Sequence, residues 1–169
     1  MQQSGLSLRK QEDAFSDLPR IWDSQDKTQP RSLEGRYFLK RPRILLADDH
    51  VPMIERVRSL LQTDFEIVGN VSTGPDLVSE AGRLQPDIIV LDITMPGLTG
   101  IEAAHELRQA GSTAKFVFLS VHERVEFVRA CLAEGALGYV VKSRLAIDLV
   151  PAVVDALAGR RIISPPVSR

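Results

Sequence analysis

From about residue 43 onward, two hydrophobic periods alternate along the chain. Short apolar runs, typical of strands buried on both faces, alternate with stretches whose apolar positions repeat every three to four residues, as in amphipathic helices. The predicted strands are Arg43–Ala47, Phe65–Val71, Ile88–Leu91, Lys115–Leu119 and Gly138–Val141. The helical stripes that follow them run over residues 54–61, 77–84, 101–107, 125–132 and 145–158.

This alternation predicts an α/β domain in which helices cover both faces of a parallel sheet through right-handed crossovers. The number and length of the elements match a flavodoxin-like (βα)5 doubly wound sheet with strand order 2-1-3-4-5. The second strand alternates more than the others, which favours a place near an edge. Pro151 falls inside the last helical stripe and predicts a kink there, unless that helix starts late.

The segments on either side of this pattern differ from it. Residues 1–40 are polar and contain Pro19 and Pro30, which predicts a disordered or loosely docked extension. Within them, apolar residues at helical spacing around Trp22 allow a second interpretation, a short amphipathic segment that docks on the domain or on a partner. We therefore divide the chain into an extension (1–40), a globular domain (41–160) and a tail (161–169), which two adjacent prolines make extended.

Composition narrows the class of protein. Hydrophobic residues make up 44% of the 169, enough for one ordinary core, and no apolar run approaches the length of a membrane span. The formal net charge of −1 argues against an electrostatic nucleic-acid binder. The single cysteine excludes an internal disulfide framework and a cysteine-based zinc site. With no signal-peptide pattern at the N-terminus, we expect a cytoplasmic protein.

Residues that can bind a cation and a phosphoryl group follow four of the strands. Asp48 and Asp49 come after the first strand, Asp92 after the third, Ser120 after the fourth and Lys142 after the fifth. The carboxyl ends of these strands meet at one edge of the sheet. Neighbouring carboxylates repel unless a cation shares them, and Mg²⁺ prefers such oxygen ligands. The lysine and the hydroxyl can bind phosphoryl oxygens, and Asp92 can act as the nucleophile that forms an acyl phosphate.

Each of these residues also has an ordinary structural interpretation. Asp48 and Asp49 can cap the first helix, Ser120 can cap the fourth, and Lys142 can be a solvated lysine at a strand end. Their coincidence at one edge of the sheet favours a site. The chain has no cysteine–histidine metal spacing and no glycine-rich phosphate loop that would suggest a different chemistry.

Four segments resemble a known family. They are Ile44–His50, which reads ILLADDH, Ile89–Gly100, which reads IVLDITMPGLTG, Val117–His122, which reads VFLSVH, and Gly135–Ser143, which reads GALGYVVKS. Together they resemble the receiver domain of bacterial two-component response regulators, over about three quarters of the chain. The first and last segments are most similar to the NarL/FixJ subfamily.

The resemblance implies a role for each residue at the sheet edge. Asp92 becomes the phosphoacceptor and, together with Asp49, a direct Mg²⁺ ligand. Asp48 acts on the metal mostly through water, and the backbone carbonyl of Thr94 is a further protein ligand. Lys142 contacts the phosphoryl group.

The resemblance also implies a switch and partners. Ser120 moves towards the phosphoryl group and Tyr139 follows it inward, which alters the surface of the fourth helix, fifth strand and fifth helix. Thr94 and His122 occupy positions that tune dephosphorylation. The phosphodonor is a sensor histidine kinase or a histidine phosphotransfer protein, while the sequence does not identify the output partner. The protein turns over no external product and is classed as a signalling protein, not an enzyme.

Members of this family often form homodimers on phosphorylation through the face made by the fourth and fifth helices. A second set of residues could either line that face or belong to the core: Ala130, Cys131, Val150 and Val153. Homodimerisation therefore stays a hypothesis at this point.

Several alternatives remain open. The segment Arg160–Pro165 resembles the linker that leads into a helix-turn-helix module, but the printed chain stops soon after it. We expect a single-domain regulator without direct nucleic-acid binding. One alternative is the remnant of a DNA-binding transcription regulator that acts through a partner, and another is a pseudo-receiver that binds partners constitutively. A Mg²⁺-dependent phosphatase also uses a strand-end aspartate, but it would need an acid where Thr94 stands.

Overall fold

The computed structural model describes residues 40–164. The predictions for residues 1–39, including the amphipathic segment around Trp22, and for 165–169 lie outside the described residues. The strands are Arg43–Ala47 (β1), Glu66–Val71 (β2), Ile88–Asp92 (β3), Lys115–Ser120 (β4), Gly138–Val141 (β5) and Ile162–Ile163 (β6). The helices are Val51–Leu61 (α1), Gly74–Leu84 (α2), Gly100–Gln109 (α3), Val125–Ala133 (α4) and Leu145–Leu157 (α5).

Within residues 40–164 the strands form one parallel sheet with the order β2-β1-β3-β4-β5-β6. This confirms the predicted flavodoxin-like fold and places β2 at an edge, as its alternating pattern indicated. The strands reach the carboxyl edge almost level with one another, because Ala47 pairs with Leu91 and Asp92 with Leu119. That edge is therefore where side chains from different βα units can meet.

Two apolar layers cover the sheet. Strand β3 contributes to both, since Ile89 and Leu91 pack on one face while Ile88 and Val90 pack on the other. The first layer contains the apolar faces of α2, α3 and α4, and the second contains those of α1 and α5. Because β3 is covered on both sides, its position and that of the acid at its end are strongly determined by packing. Among residues 40–164, none of the helices combines the length and the apolar composition that a membrane span requires.

The strand β6 was not predicted. The amide of Ile162 donates to the carbonyl of Leu137 at 2.8 Å, and the amide of Ser164 donates to that of Tyr139 at 2.7 Å. These bonds extend the sheet beyond β5 and give the segment after α5 a defined place. Two apolar residues are too few to produce a periodic signal, so pattern analysis could not detect this strand.

Pro151 lies in the interior of α5, which begins at Leu145 and remains helical to Leu157. The helix thus does not avoid the proline by a late start, and the carbonyl of Ile147 loses its intrahelical donor. Pro151→Ala should raise the free energy of unfolding by about 2 kcal/mol. Inside a helix, proline is roughly 3 kcal/mol less favourable than alanine. Proline also stabilises the folded protein by up to about 1 kcal/mol, because it restricts the unfolded chain, and this part of the stability is lost in the variant.

Urea denaturation of the two proteins measures this difference. Pro52→Ala is the matched control, because Pro52 lies in the first turn of α1, where its missing amide would have no helical partner. Equal changes in the two variants would contradict the argument.

Candidate functional site

The carboxyl edge of the sheet brings the predicted residues together. Asp48 follows β1, Asp92 ends β3, Ser120 ends β4 and Lys142 follows β5. One carboxylate oxygen from each of Asp48, Asp49 and Asp92 lies within 4.8 Å of the others. Asp48, Asp92 and Ser120 are buried, whereas Asp49 is exposed. The cluster therefore has buried side chains on its inner side and is open to solvent at Asp49.

Lys142 connects two of these acids. Its Nζ lies 2.7 Å from Oδ2 of Asp48 and 3.2 Å from Oδ1 of Asp92. Burial by itself would lower the pKa of Lys142, but the hydrogen bonds and negative charges of the two aspartates outweigh it and raise that pKa. The ammonium group is thus held charged beside Asp92, positioned to contact an anion bound there.

Asp92 remains electrostatically uncompensated despite this lysine. Burial raises the pKa of its carboxyl and the charge of Asp48 adds to the effect, while Lys142 and the donating amide of Thr94 oppose it. One ammonium shared between two aspartates, with Asp49 close by, leaves surplus negative charge. Closely spaced carboxylate oxygens with surplus charge fit Mg²⁺, which binds to one or two carboxylates and keeps several waters.

The loop between β3 and α3 is closely fitted around Asp92. The amide of Gly100 donates to the carbonyl of Ile93 at 2.8 Å, and a Cβ at Gly100 would lie 2.0 Å from the backbone oxygen of Asp92. Thr99 and Glu102 form a capping box, in which each side chain accepts from the other's backbone amide. The spacing Thr99-x-x-Glu102 is the signal in the sequence for this helix start, which was not predicted above.

Ser120 and Tyr139 are joined through the backbone of His122. The amide of His122 donates to Oγ of Ser120 at 2.9 Å, and the hydroxyl of Tyr139 donates to the carbonyl of His122 at 2.8 Å. Tyr139 is fully buried, so it already occupies an inward position in this structure. The ring of His122 stacks on Phe127 of α4, with centroids 4.2 Å apart and an interplanar angle of 6°. Sequence reasoning did not identify Phe127, because this contact depends on how α4 packs.

The remaining predicted residues fall into two groups. Thr94 is exposed in the loop after β3, two residues after Asp92. Of the residues considered for a dimer face, Cys131 and Val153 are buried in the two core layers, while Ala130 and Val150 are partly exposed. Only the latter two can contribute area to an interface on α4 and α5.

Comparison with known proteins agrees with this geometry. The family model "Response regulator receiver domain" matches residues 44–154. The chain belongs to this family. The match includes β1 through most of α5, and it therefore contains every residue of the site described above.

Individual relatives and solved structures support the assignment. The chain is 35% identical over 124 residues to the transcriptional regulatory protein DesR of Bacillus subtilis, covering 72% of this chain and 61% of that protein. It is 37% identical over 123 residues to the nitrate/nitrite response regulator protein NarL of Escherichia coli K12, covering 72% and 57%. The chain thus spans less than two thirds of the length of these two relatives.

Solved structures show the same fold. The signal receiver domain of a NarL response regulator from Mycobacterium tuberculosis matches with a TM-score of 0.68 and 28% identity, over 72% of this chain and 99% of that one. A LuxR-family two-component response regulator from Aurantimonas sp. SI85-9A1 matches with a TM-score of 0.70 and 33% identity, over 75% and 91%. Both similarities agree with the NarL/FixJ-like character of the sequence motifs.

Proposed function

We propose that this receiver domain accepts a phosphoryl group on Asp92 from a phosphohistidine of a sensor histidine kinase or of a histidine phosphotransfer protein. The observation that carries the proposal is the ammonium of Lys142, which is shared between Asp48 and Asp92 at 2.7 and 3.2 Å. The carboxylate at the end of β3 lies beside other acids and one partly buried ammonium, so a nucleophile, a cation site and an anion contact occur together. No external product is turned over, so the domain acts as a signalling protein.

The transfer forms one bond and breaks one bond. An oxygen of the Asp92 carboxylate bonds to phosphorus as the phosphorus–nitrogen bond of the donor breaks, and the released imidazole takes up a proton from water. The transferred phosphoryl group brings its negative charge to Asp92, and Lys142 contacts one of its oxygens there. Mg²⁺ held at this site would neutralise part of the charge on the transferring group. Asp49, Asp92 and the carbonyl of Thr94 are its proposed direct ligands, with Asp48 acting through water.

The switch uses the hydrogen bonds around His122. In the phosphorylated state, the hydroxyl of Ser120 donates to a phosphoryl oxygen. It thereby loses the hydrogen bond that it now accepts from the amide of His122. Movement of that backbone changes the partner of the Tyr139 hydroxyl and the stacking of His122 on Phe127. Because Phe127 belongs to α4, the surface of α4, β5 and α5 responds. The phosphoryl group thereby shifts an existing equilibrium between two arrangements.

The altered surface is proposed to bind an output partner or a second copy of the chain. The partly exposed Ala130 and Val150 supply apolar area on α4 and α5 for such a contact. Direct DNA binding by this domain is not expected, since the formal net charge of the chain is −1.

The test is the intact mass of the protein after incubation with acetyl phosphate, either with Mg²⁺ or with a chelator of divalent cations. We expect a gain of one phosphoryl group that requires Mg²⁺, because Asp48, Asp49 and Asp92 otherwise repel an incoming anion. Equal gain with the chelator would contradict the metal site. No gain under either condition would favour the pseudo-receiver alternative.

A further inference from the structure

A buried carboxylate outside the proposed site holds the C-terminal strand. Asp148, in the first turn of α5, is 6% exposed and Ser164, directly after β6, is 2% exposed. The hydroxyl of Ser164 donates to Oδ2 of Asp148 at 2.6 Å, and Nε of Arg144 donates to the same oxygen at 2.7 Å. We call Arg144, Asp148 and Ser164 the Asp148 clasp. Nothing in the proposed phosphoryl transfer uses it.

One connection from the clasp to the site runs through β5. The amide of Ser164 donates to the carbonyl of Tyr139, whose hydroxyl donates to the carbonyl of His122. The amide of His122 in turn donates to Oγ of Ser120. Ser164 is therefore connected, through Tyr139 and the backbone of His122, to Ser120, whose hydroxyl is proposed to reach the phosphoryl group.

A second connection runs through the turn between β5 and α5. Lys142 and Arg144 are the first and last residues of a single 3₁₀ turn. Lys142 bonds to the acids of the site, while Arg144 bonds to Asp148 of the clasp. One short turn therefore carries bonds to the site at one end and bonds to the clasp at the other.

We propose that the Asp148 clasp couples the docking of β6 to the occupancy of Asp92. A phosphoryl group on Asp92 loosens the clasp and β6, and a loosened clasp favours the phosphorylated state. The inference rests on the function proposed above and adds to it a regulated segment, Arg160–Ser164, at the end of the domain.

The proposed direction starts from the contacts that the clasp makes in this structure. Every buried side-chain nitrogen and oxygen among residues 40–164 has a hydrogen-bond partner. When Lys142 moves from the two aspartates towards a phosphoryl group, the turn draws Arg144 away from Asp148, and part of a buried carboxylate loses its donor. Strand β6 has only two residues and lies at the sheet edge, so it is the element of the described fold that such a loss can release most readily. Because the coupling of two sites is reciprocal, a loosened clasp in turn favours the phosphorylated state.

Amide hydrogen exchange tests the first direction. The amides of Ile162 and Ser164 report β6 directly, because each donates to a carbonyl at β5 or just before it. We expect both to exchange about tenfold faster when the full chain binds beryllium fluoride with Mg²⁺, within the usual range of coupling between sites. Asp92→Asn should show no such acceleration.

Ser164→Ala tests the reciprocal direction, since it keeps the amide at position 164 and removes only the hydroxyl. We expect the affinity for beryllium fluoride, measured by calorimetry at fixed Mg²⁺, to rise about tenfold, because the bond that opposes the occupied state is gone. Ser164→Thr keeps a hydroxyl and should restore the wild-type affinity. Ser59→Ala is the control, because the Ser59 hydroxyl donates to the carbonyl of Arg56 on the exposed side of α1, away from the clasp.

The outcomes separate the two proposals. If the wild type binds beryllium fluoride while the amides of Ile162 and Ser164 are unaffected and Ser164→Ala binds with unchanged affinity, the coupling is overturned and the phosphoacceptor function stands. If the wild type neither binds beryllium fluoride nor gains phosphoryl mass, the proposed function fails and the coupling fails with it. A clasp that is merely structural would lower the stability of Ser164→Ala without moving its affinity.

Discussion

Asp92→Asn is expected to abolish the Mg²⁺-dependent gain of phosphoryl mass completely. The carboxylate oxygen that forms the acyl phosphate is replaced by an amide, which is a poor nucleophile and brings no negative charge to a cation. Lys142 keeps its 2.7 Å bond to Asp48, so the remaining ammonium contact is preserved. The loss of uptake is therefore a loss of the reacting group and not of the pocket that surrounds it.

The same variant should remain folded. The direction in which its free energy of unfolding changes follows from the shifted pKa of Asp92. Burial raises the pKa of that carboxyl above its value in the unfolded chain. Between the two values the folded state binds more protons than the unfolded state, so stability falls as the pH rises through this window. Asparagine resembles the uncharged acid. At neutral pH without Mg²⁺, we expect the free energy of unfolding of Asp92→Asn to equal or exceed that of the wild type.

Intact mass after treatment with acetyl phosphate and Mg²⁺, together with urea denaturation, measures both expectations. Asp64→Asn makes the same chemical change at an exposed residue just after α1 and should take up phosphoryl normally. Uptake by Asp92→Asn at the wild-type level would show that another residue is the acceptor. A strongly destabilised Asp92→Asn would show that the charge of Asp92 supports the fold, against the electrostatic argument.

Gly100→Ala is expected to lower the free energy of unfolding by about 3 kcal/mol, the upper part of the usual range for overpacking. The added Cβ would lie 2.0 Å from the backbone oxygen of Asp92, which cannot give way as the end of a flexible side chain can. Relief requires that α3 or the end of β3 move, and either shift displaces the phosphoacceptor. We expect a lower rate of phosphoryl uptake in the fraction that remains folded.

Gly82→Ala provides the comparison at another helical glycine. Apart from its chain neighbours and the backbone of its own helix, no heavy atom of the described residues lies within 4 Å of a Cβ placed there, and the position is exposed inside α2. Alanine should stabilise the protein by about 0.5–1 kcal/mol through helix propensity. Urea denaturation of both variants gives the difference directly. If both glycines tolerate alanine equally, then the close approach of Gly100 to Asp92 does not constrain the site.

Much of the fold was predictable because its signals are local. The run Ile88–Leu91 is apolar at every position because β3 is covered on both faces, and this pattern identifies a central strand without any knowledge of its neighbours. Once βα units alternate, connection rules leave few arrangements, and the acids and lysine at the strand ends must approach one another. The clustering of Asp48, Asp49 and Asp92 follows from topology as much as from the residues themselves.

Patterns along the chain were thus sufficient to predict the βα architecture, the edge position of β2 and the polar residues at the carboxyl edge. Three contacts depend instead on how distant elements pack: the division of the Lys142 bonds between two aspartates, the stacking of Phe127 on His122, and the bond from Ser164 to Asp148 across 16 positions. The difference arises because the predicted features depend on residues close together in the chain, whereas these contacts join residues far apart. Periodicity records the burial of a residue in its own element, whereas β6 and the clasp exist only because the edge of β5 offers free backbone groups and α5 presents a buried acid beside them.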